Sequence, residues 1–306
     1  MSIFYVNYDA KLIIYTINKY VFAKYVLSLH VLKGILSIIK PMKIRNLSLI
    51  VIAISLILTG CSSKHKKLLN SNNHDAKYEA AIAAYNQKDY FHATQLFENL
   101  LLYYRGRDKA ESVNLYYAKS LLGSGDYYSA GYQFQNFVKW FPYSKDAEEA
   151  LFQAAYCKYL ESPKYSLDQT LTKESLKEFQ SYIERYPKSE KVAQANKLMD
   201  ELRLKLVRKD YEIAYNYYKT GNYQSAQSAL RTFLKDYPDA EYRQDAMYYL
   251  VLSGFTFAEN SIEGKRKERF EVVINDFQKF EALFPDSPRT KELKKIMVQY
   301  QELGKK

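Results

Sequence analysis

Cys61 is the residue of this chain whose side chain is best placed to do chemistry. It lies in the stretch LILTGCSSK, directly after Thr59 and Gly60 and at the end of an aliphatic run. A thiolate is a strong nucleophile, and small neighbouring residues let a modifying enzyme approach the backbone around it. The other cysteine, Cys157, lies in the apolar stretch FQAAYCKYL, where we expect a small buried side chain and no disulfide.

Patterns typical of catalysis or metal binding are missing from the rest of the sequence. The four histidines show no metal-ligand spacing, and the chain has neither a glycine-rich phosphate loop nor a Ser/His/Asp set in a plausible order. We therefore expect no enzyme activity, no metal and no cofactor. The net charge is +11, but residues 1–60 contribute seven basic groups against one acid. The mild remaining excess predicts a mixed solvated surface and no nucleic-acid partner.

The segment 42–60 has the parts of a secretory signal peptide. Lys43 and Arg45 form a basic start, and the apolar run from Leu47 to Leu58 is too short to span a membrane comfortably. The end of this segment, LTGC, resembles the bacterial lipoprotein cleavage box, which implies a diacylglyceryl group on Cys61. Several acyl chains would hold the protein firmly on a membrane. A transmembrane anchor with an incidental cysteine is the alternative interpretation.

The regions on either side of this signal have different compositions. Residues 1–41 are apolar and tyrosine-rich, and we interpret them as an extension upstream of a true start at Met42; a real membrane-associated helix is the alternative. Residues 61–74 are polar and predict a tether. The remaining segment, 75–303, is predicted to be the folded domain.

Internal similarity shows that the folded domain is a repeat array. The stretches KDYFHA (88–93), GDYYSA (125–130) and GNYQSA (221–226) recur, each with an apolar residue four positions after the alanine. An aromatic residue followed by proline recurs later, as in FPYS (141–144) and YPKS (186–189). This pattern resembles the tetratricopeptide repeat, a helix–turn–helix of 34 residues in which small side chains let the two helices approach closely.

The small positions are alanines in three repeats, with matching spacing: Ala81 and Ala93, Ala118 and Ala130, Ala214 and Ala226. The third and fifth repeats are degenerate, and we expect a widened turn in each, around residues 161–173 and 261–265. A last polar-sided helix is expected to cap the stack. The sequence thus predicts an all-α, tetratricopeptide-like helical solenoid of about five helix pairs plus a C-terminal capping helix.

Such arrays bind peptides on the surface lined by the first helix of each repeat. Counting along the first, second and fourth repeats gives mostly aromatic and cationic candidates, which suit a peptide bearing aromatic side chains and a carboxylate. Packing between repeats is the equally weighted alternative for any single tyrosine. The candidates are Tyr78, Tyr85, Leu115, Lys119, Arg208, Tyr211, Tyr215 and Tyr218.

A lipidated chain with five such repeats and widened third and fifth turns resembles the BamD family, the lipoproteins of the outer-membrane β-barrel assembly machine. The resemblance covers the chain from Cys61 onward. It implies attachment to the periplasmic face of the outer membrane, docking of the C-terminal repeats on a BamA-like outer-membrane β-barrel protein, and contact of the N-terminal repeats with unfolded outer-membrane proteins. Ser62 is consistent with delivery to the outer membrane, because in many bacteria an aspartate at this position retains lipoproteins at the inner membrane.

Two other classes of lipoprotein use similar repeats. A periplasmic scaffold for cell division or envelope coordination remains the alternative, although such proteins usually carry a coiled-coil segment and no sustained heptads occur here. A glycan-binding lipoprotein of the SusD type is disfavoured, because that family is far longer than this chain.

Overall fold

The computed structural model describes residues 65–303, in which all regular secondary structure is helical. Three sequence predictions concern residues outside the described range: the extension 1–41, the signal peptide 42–60 and lipidation at Cys61. A short helical turn covers residues 65–69, and one compact unit begins at His74. Its helices are α1 (His74–Asn86), α2 (Tyr90–Tyr104), α3 (Ala110–Ser124), α4 (Tyr127–Trp140), α5 (Ala147–Glu161), α6 (Thr170–Arg185), α7 (Val192–Lys219), α8 (Tyr223–Asp236), α9 (Arg243–Glu259), α10 (Glu263–Leu283) and α11 (Pro288–Leu303).

Consecutive helices pack against each other along the whole array. The short connections make neighbours antiparallel, so the helices form five pairs and α11 follows as a cap. The predicted fold class, an all-α tetratricopeptide-like solenoid, is therefore confirmed. Each pair leaves one face to be buried by the next, which is why the array has no central core and is stabilised between neighbours.

The predicted small positions lie where the two helices of a pair cross. All six alanines of the first, second and fourth repeats are at most 2% exposed. In the third repeat the crossing is so close that the Ser175 hydroxyl donates a hydrogen bond of 3.2 Å to the Ala155 carbonyl oxygen. In the fifth repeat Gly254 allows the approach, because a Cβ atom there would lie 2.8 Å from Cγ2 of Val273.

The reversals between paired helices use the left-handed backbone region. Gly125 and Gly221 have φ values of +86° and +77°, which glycine adopts without steric cost. In the first repeat Lys88 occupies the corresponding place with a φ of 61°. Asp89 and Asp126 then cap α2 and α4 by accepting hydrogen bonds from the third backbone N–H of each helix.

A recurring polar contact joins the end of one repeat to its own beginning. After the terminal proline, the Ser144 hydroxyl donates to Glu111 at 2.6 Å, and the Ser189 hydroxyl donates to Glu148 at 2.5 Å. Each glutamate lies in the first turn of the repeat's first helix. These contacts fix the turn after the aromatic–proline pair against the first helix of the same repeat.

The two degenerate repeats differ from each other. The turn between α5 and α6 is wide, as predicted, and it lies against α7, where Lys205 donates to the Ser162 carbonyl and hydroxyl oxygens. The widened turn predicted in the fifth repeat is wrong. Residues 263–265 already belong to α10, because the Glu-, Lys- and Arg-rich sequence that follows favours helix, and the pair is enlarged by longer helices instead.

Candidate functional site

The first helices of the repeats bring six of the eight predicted binding residues together in two clusters, one from α1 and α3 and one from α7 and α9. In the first cluster, Tyr78 of α1 forms a hydrogen bond of 2.6 Å with the Ser112 hydroxyl of α3. Its ring meets Phe97 and Tyr104 edge-to-face, at centroid distances of 6.4 and 6.2 Å. Tyr78 is thus half-buried, with its hydroxyl already engaged by the next repeat.

A cation and a carboxylate lie beside this ring. The Lys109 ammonium is 4.7 Å from the Tyr78 centroid and donates a hydrogen bond of 2.8 Å to Asp75. Tyr104 donates to the same carboxylate oxygen at 2.8 Å. The hydrogen bond from Lys109, followed by that from Tyr104, lowers the pKa of Asp75. The acid therefore stays ionised at neutral pH and holds the cation near the surface.

Tyr85 and Lys119 form the other end of the first cluster through Tyr116. The Tyr85 ring meets Tyr116 edge-to-face at 5.0 Å, and the Lys119 ammonium lies 5.5 Å from the Tyr116 centroid. Lys119 also faces Glu149 of the next repeat. Burial raises the pKa of Glu149, but hydrogen bonds from Gln153 and Lys191, with the charges of Lys191 and Lys119, outweigh it and leave the pKa below its usual value.

The second cluster is a continuous set of tyrosine rings across α7 and α9. Tyr215 stacks with Tyr211 at 5.9 Å and with Tyr218 at 6.1 Å along α7. Tyr249 of α9 contacts both Tyr215, at 4.4 Å, and Tyr218, at 4.9 Å. Tyr242 stacks on Tyr211 at 4.6 Å. Five rings from two repeats therefore form one aromatic surface with half-buried edges.

Cations border this aromatic surface. Lys219 lies 4.7 Å from the Tyr215 centroid, and Arg289 lies 5.8 Å from that of Tyr249 while paired with Asp245. Because the arginine is held by a carboxylate and by rings at once, its guanidinium is fixed in position. An aromatic surface with fixed cations can stack on planar side chains and accept a carboxylate.

Arg208 lies at a different place from the tyrosine rings of α7. Its guanidinium lies 4.1 Å from the centroid of Tyr165, in the widened turn of the third repeat. Together with Tyr242 and Lys205 these two residues line a cavity of about 630 Å³. Arg208 therefore links the third-repeat turn to the edge of the second cluster.

Burial raises the pKa of three tyrosines of the second cluster, Tyr211, Tyr218 and Tyr249, and these three are neutral at physiological pH. Burial, followed by a hydrogen bond with Tyr215, raises the pKa of Tyr249 to about 12. Burial also raises the pKa of Tyr211 and of Tyr218. Their hydroxyl groups are consequently available as hydrogen-bond donors rather than as anions.

Two of the eight predicted residues are packed in the interior. Leu115 is 5% exposed and Tyr211 is 6% exposed, so neither can touch a ligand on the surface without displacing its neighbours. Leu115 belongs to α3, a helix with a broad buried face. The Tyr211 ring is covered by that of Tyr242. We correct the prediction for these two: they are buried in the array and do not form part of an exposed binding surface.

Sequence reasoning missed four residues of the second cluster. Tyr242 and Tyr249 lie at the start of the fifth repeat, whereas groove positions were counted only in the first, second and fourth repeats. Arg289 and Asp245 come from α11 and α9 and meet only in the folded array. The run YYL at 248–250 was the available signal. It lies about ten residues after Pro238, in the segment that forms the first helix of the fifth repeat.

Other kinds of site are not found in the part of the chain that the structure describes. Within residues 65–303 no three His, Cys, Asp or Glu side chains are grouped as metal ligands. No helix in that range combines the length and hydropathy needed to cross a membrane.

Comparison with known proteins gives one family match. The family model described as "YfiO: Outer membrane lipoprotein" matches residues 70–252 and 210–303. No curated protein sequence matches the chain significantly. The similar solved structures include the nearly identical TPR-like repeats of a putative kinesin light chain from Podosopora anserina, at 11% identity and a TM-score of 0.30, covering 70% of this chain and 96% of that one. The TPR2AB domain of yeast Sti1, in complex with pHSP90, aligns at 11% identity and a TM-score of 0.34 over 74% and 97% of the two chains.

Proposed function

Because the chain belongs to the YfiO family of outer membrane lipoproteins, also called BamD, we propose that it is a scaffold of the β-barrel assembly machine. In this proposal a lipid on Cys61 anchors the protein to the periplasmic face of the outer membrane. The repeats then bind the barrel-inserting subunit and unfolded barrel substrates. The family match over the whole repeat array is the observation that carries the proposal.

The two tyrosine clusters support a binding role rather than a catalytic one. Half-buried rings with fixed cations offer stacking and carboxylate pairing but no activated nucleophile. Unfolded barrel strands alternate apolar and polar side chains and are rich in aromatic residues at their ends. The first cluster, with Tyr78, Tyr85 and Lys119, is suited to such strands, and its cations offer a partner for a carboxylate.

The second cluster is our candidate for docking the BamA-like subunit. It spans two repeats, so its rings are held by packing between α7 and α9 and lose little freedom on binding. Tyr215 and Tyr218, with Lys219 and Arg289 at the border, provide the aromatic and arginine anchors that dominate protein interfaces. Arg208, beside the third-repeat turn, would lie at the rim of the same contact.

The test is purification of the lipidated protein from its own envelope in mild detergent, with bound proteins identified by mass spectrometry. We expect a large outer-membrane β-barrel protein with periplasmic repeat domains at a near-equal amount. Tyr215→Ala should reduce that amount several-fold, whereas Tyr217→Ala, on the same helix but outside the cluster, should not. Both variants are first checked for helix content by circular dichroism. Recovery of division or peptidoglycan proteins in place of the barrel protein would refute the proposal.

The anchor is tested separately with Cys61→Ala. Without the thiol no diacylglyceryl group can be attached, so the variant should neither label with fatty acid nor fractionate with outer membranes. Ser62→Ala is the matched control and should keep both properties. Labelling of the Cys61→Ala protein together with outer-membrane recovery would show that the lipid is elsewhere.

A further inference from the structure

A groove on the opposite, second-helix side of the first two repeats has the chemistry of a peptide site. It lies between α2 and α4, has a volume of about 730 Å³, and falls within the size range of ligand sites. We propose that this groove binds an extended acidic and apolar segment of a second polypeptide. This proposal concerns a different surface from the two tyrosine clusters and does not depend on them.

The walls of the groove are apolar and unusually exposed. Leu102 on α2 is 78% exposed, and Tyr132 and Trp140 on α4 are 60% and 52% exposed. Tyr132, Asn136 and Trp140 are spaced four residues apart, so they form one stripe along α4. Leu101 and Leu102 of α2 line the same groove. Large side chains left this open are characteristic of interaction surfaces when they are contiguous.

The fold itself does not require apolar residues at these places. The residues that correspond to Tyr132 in the next three repeats are Lys177, Ser228 and Asn275. Of the seven residues that correspond to Leu102 and Trp140 in later repeats, two are apolar, Ala282 and Leu283 of the fifth repeat. The other five are charged: Lys139, Glu184, Lys235, Arg185 and Asp236. Since the third and fourth repeats pack with polar side chains at all three places, the apolar walls serve something other than repeat packing.

Two arginines give the groove a cationic end. Arg105 stands where the other four repeats have their terminal proline, and it lines the groove as an exposed side chain. Arg107 lies 4.2 Å from the Tyr103 centroid, which holds the guanidinium in place without neutralising it. Within the described residues neither arginine forms an ion pair. A carboxylate on the bound segment would give both arginines an ion-pair partner.

The floor and the opposite end set the form of the occupant. Asn114, Gln133 and Asn136 line the groove, and their amides can donate to and accept from a peptide backbone. Glu98 lies seven residues before Arg105, about 10 Å along the helix. An extended strand covers that distance in about three residues. In the proposal the occupant is a short extended stretch of alternating apolar and acidic side chains, with one carboxylate at the Arg105 end.

The experiment uses the only tryptophan of the chain, Trp140, as a reporter within the groove. The lipidated protein is bound to vesicles of phosphatidylethanolamine and phosphatidylglycerol, which contain no tryptophan. The probe is a blocked seven-residue peptide of alternating Leu or Phe and Asp. We expect a saturable blue shift of Trp140 emission. Peptides with Lys in place of Asp, or Ser in place of the apolar residues, should bind at least tenfold more weakly.

Two variants, each with a matched control, distinguish binding in the groove from non-specific hydrophobic binding. Arg105→Glu should weaken binding by about tenfold to a hundredfold, the equivalent of one charge-assisted hydrogen bond, and Arg105→Lys should keep most of the affinity. Leu102→Glu should abolish the shift, whereas Leu204→Glu, an exposed leucine on α7, should leave it unchanged. Far-ultraviolet circular dichroism confirms that all variants are folded.

Three outcomes would overturn the proposal. The first is no shift with the acidic apolar peptide. The second is quenching of Trp140 by brominated lipid before peptide is added, because this would make the membrane the occupant. The third is a shift that depends on protein concentration alone, which would make the occupant a second copy of the chain. The barrel-protein pull-down is independent of all three.

Discussion

The closest helix crossing in the fifth repeat gives the sharpest test of how this array is held together. Gly254 of α9 faces Val273 of α10, where an added Cβ would lie 2.8 Å from Cγ2 of the valine and 3.4 Å from Oε1 of Gln227. Ordinary van der Waals contacts between carbon atoms are about 3.5–4.0 Å. Gly254→Ala therefore forces α9 and α10 apart, and with them the rings of Tyr248 and Tyr249.

The magnitude follows from two opposing effects. Alanine is favoured over glycine in a helix interior by about 1 kcal/mol. Overpacking a tight core costs about 1–3 kcal/mol, and the upper part of that range applies because a helical valine has essentially one rotamer and cannot turn away. We therefore expect Gly254→Ala to lower the free energy of unfolding by about 1–2 kcal/mol.

The assay is urea unfolding followed by circular dichroism, combined with hydrogen exchange of the α9 and α10 amides. Exchange is needed because a repeat array can lose one repeat before the others. Gly264→Ala is the matched control: it is also helical, but its Cβ would meet nothing within 4 Å, so it should be neutral or stabilising. Adding Val273→Ala to Gly254→Ala should cost less than the sum of the two. Additive losses, or a Gly254→Ala protein as stable as the parent, would refute the contact as the cause.

Three further predictions concern backbone strain, pH and thiol chemistry. Lys88→Gly should raise the free energy of unfolding by up to about 1 kcal/mol, because the left-handed φ strains a lysine, and Gly221→Ala should lower it by a similar amount; urea midpoints of both variants decide this. Burial raises the pKa of Tyr249 to about 12, against about 10 unfolded, so its contribution is present below pH 10 and lost as pH rises to 12. Tyr249→Phe should therefore flatten the fall in the urea midpoint between pH 9 and 12, and an unchanged fall would contradict that pKa. Burial raises the pKa of the Cys157 thiol to about 12, so it should react with a disulfide reagent only at the rate of unfolding; rapid native-state reaction would contradict its burial.

The helix pairing could be predicted from the sequence because it depends on local, repeated spacing. The alanine pairs such as Ala118 and Ala130 sit at the crossings as expected, and Gly125 makes the reversal. Even the degenerate third repeat kept its crossing at Ala155 and Ser175. Each of these features involves residues within one helix–turn–helix. Their spacing along the sequence is therefore enough to predict them.

The long helix α7 was not anticipated, and neither was the short turn before α10. Val192–Lys219 is one helix of 28 residues because nothing in that stretch, which lacks proline and glycine, ends the helix between its two halves. Its first half packs on the third repeat and its second half begins the fourth. As a result Tyr165, in the turn of the third repeat, contacts Arg208 of the fourth. The spacing of the repeats along the sequence did not predict this contact.

The sequence by itself determined the repeat class, the crossing positions and the residue types on the first helices. Only the tertiary structure decided which of those side chains reach the surface. Leu115 and Tyr211 have the right positions but are buried, Tyr211 beneath Tyr242 of the neighbouring repeat. Tyr249 and Arg289, by contrast, join the second cluster from other helices. The same holds for the groove between α2 and α4. Periodicity places a residue on a helix face, but its exposure depends on the next repeat in the stack.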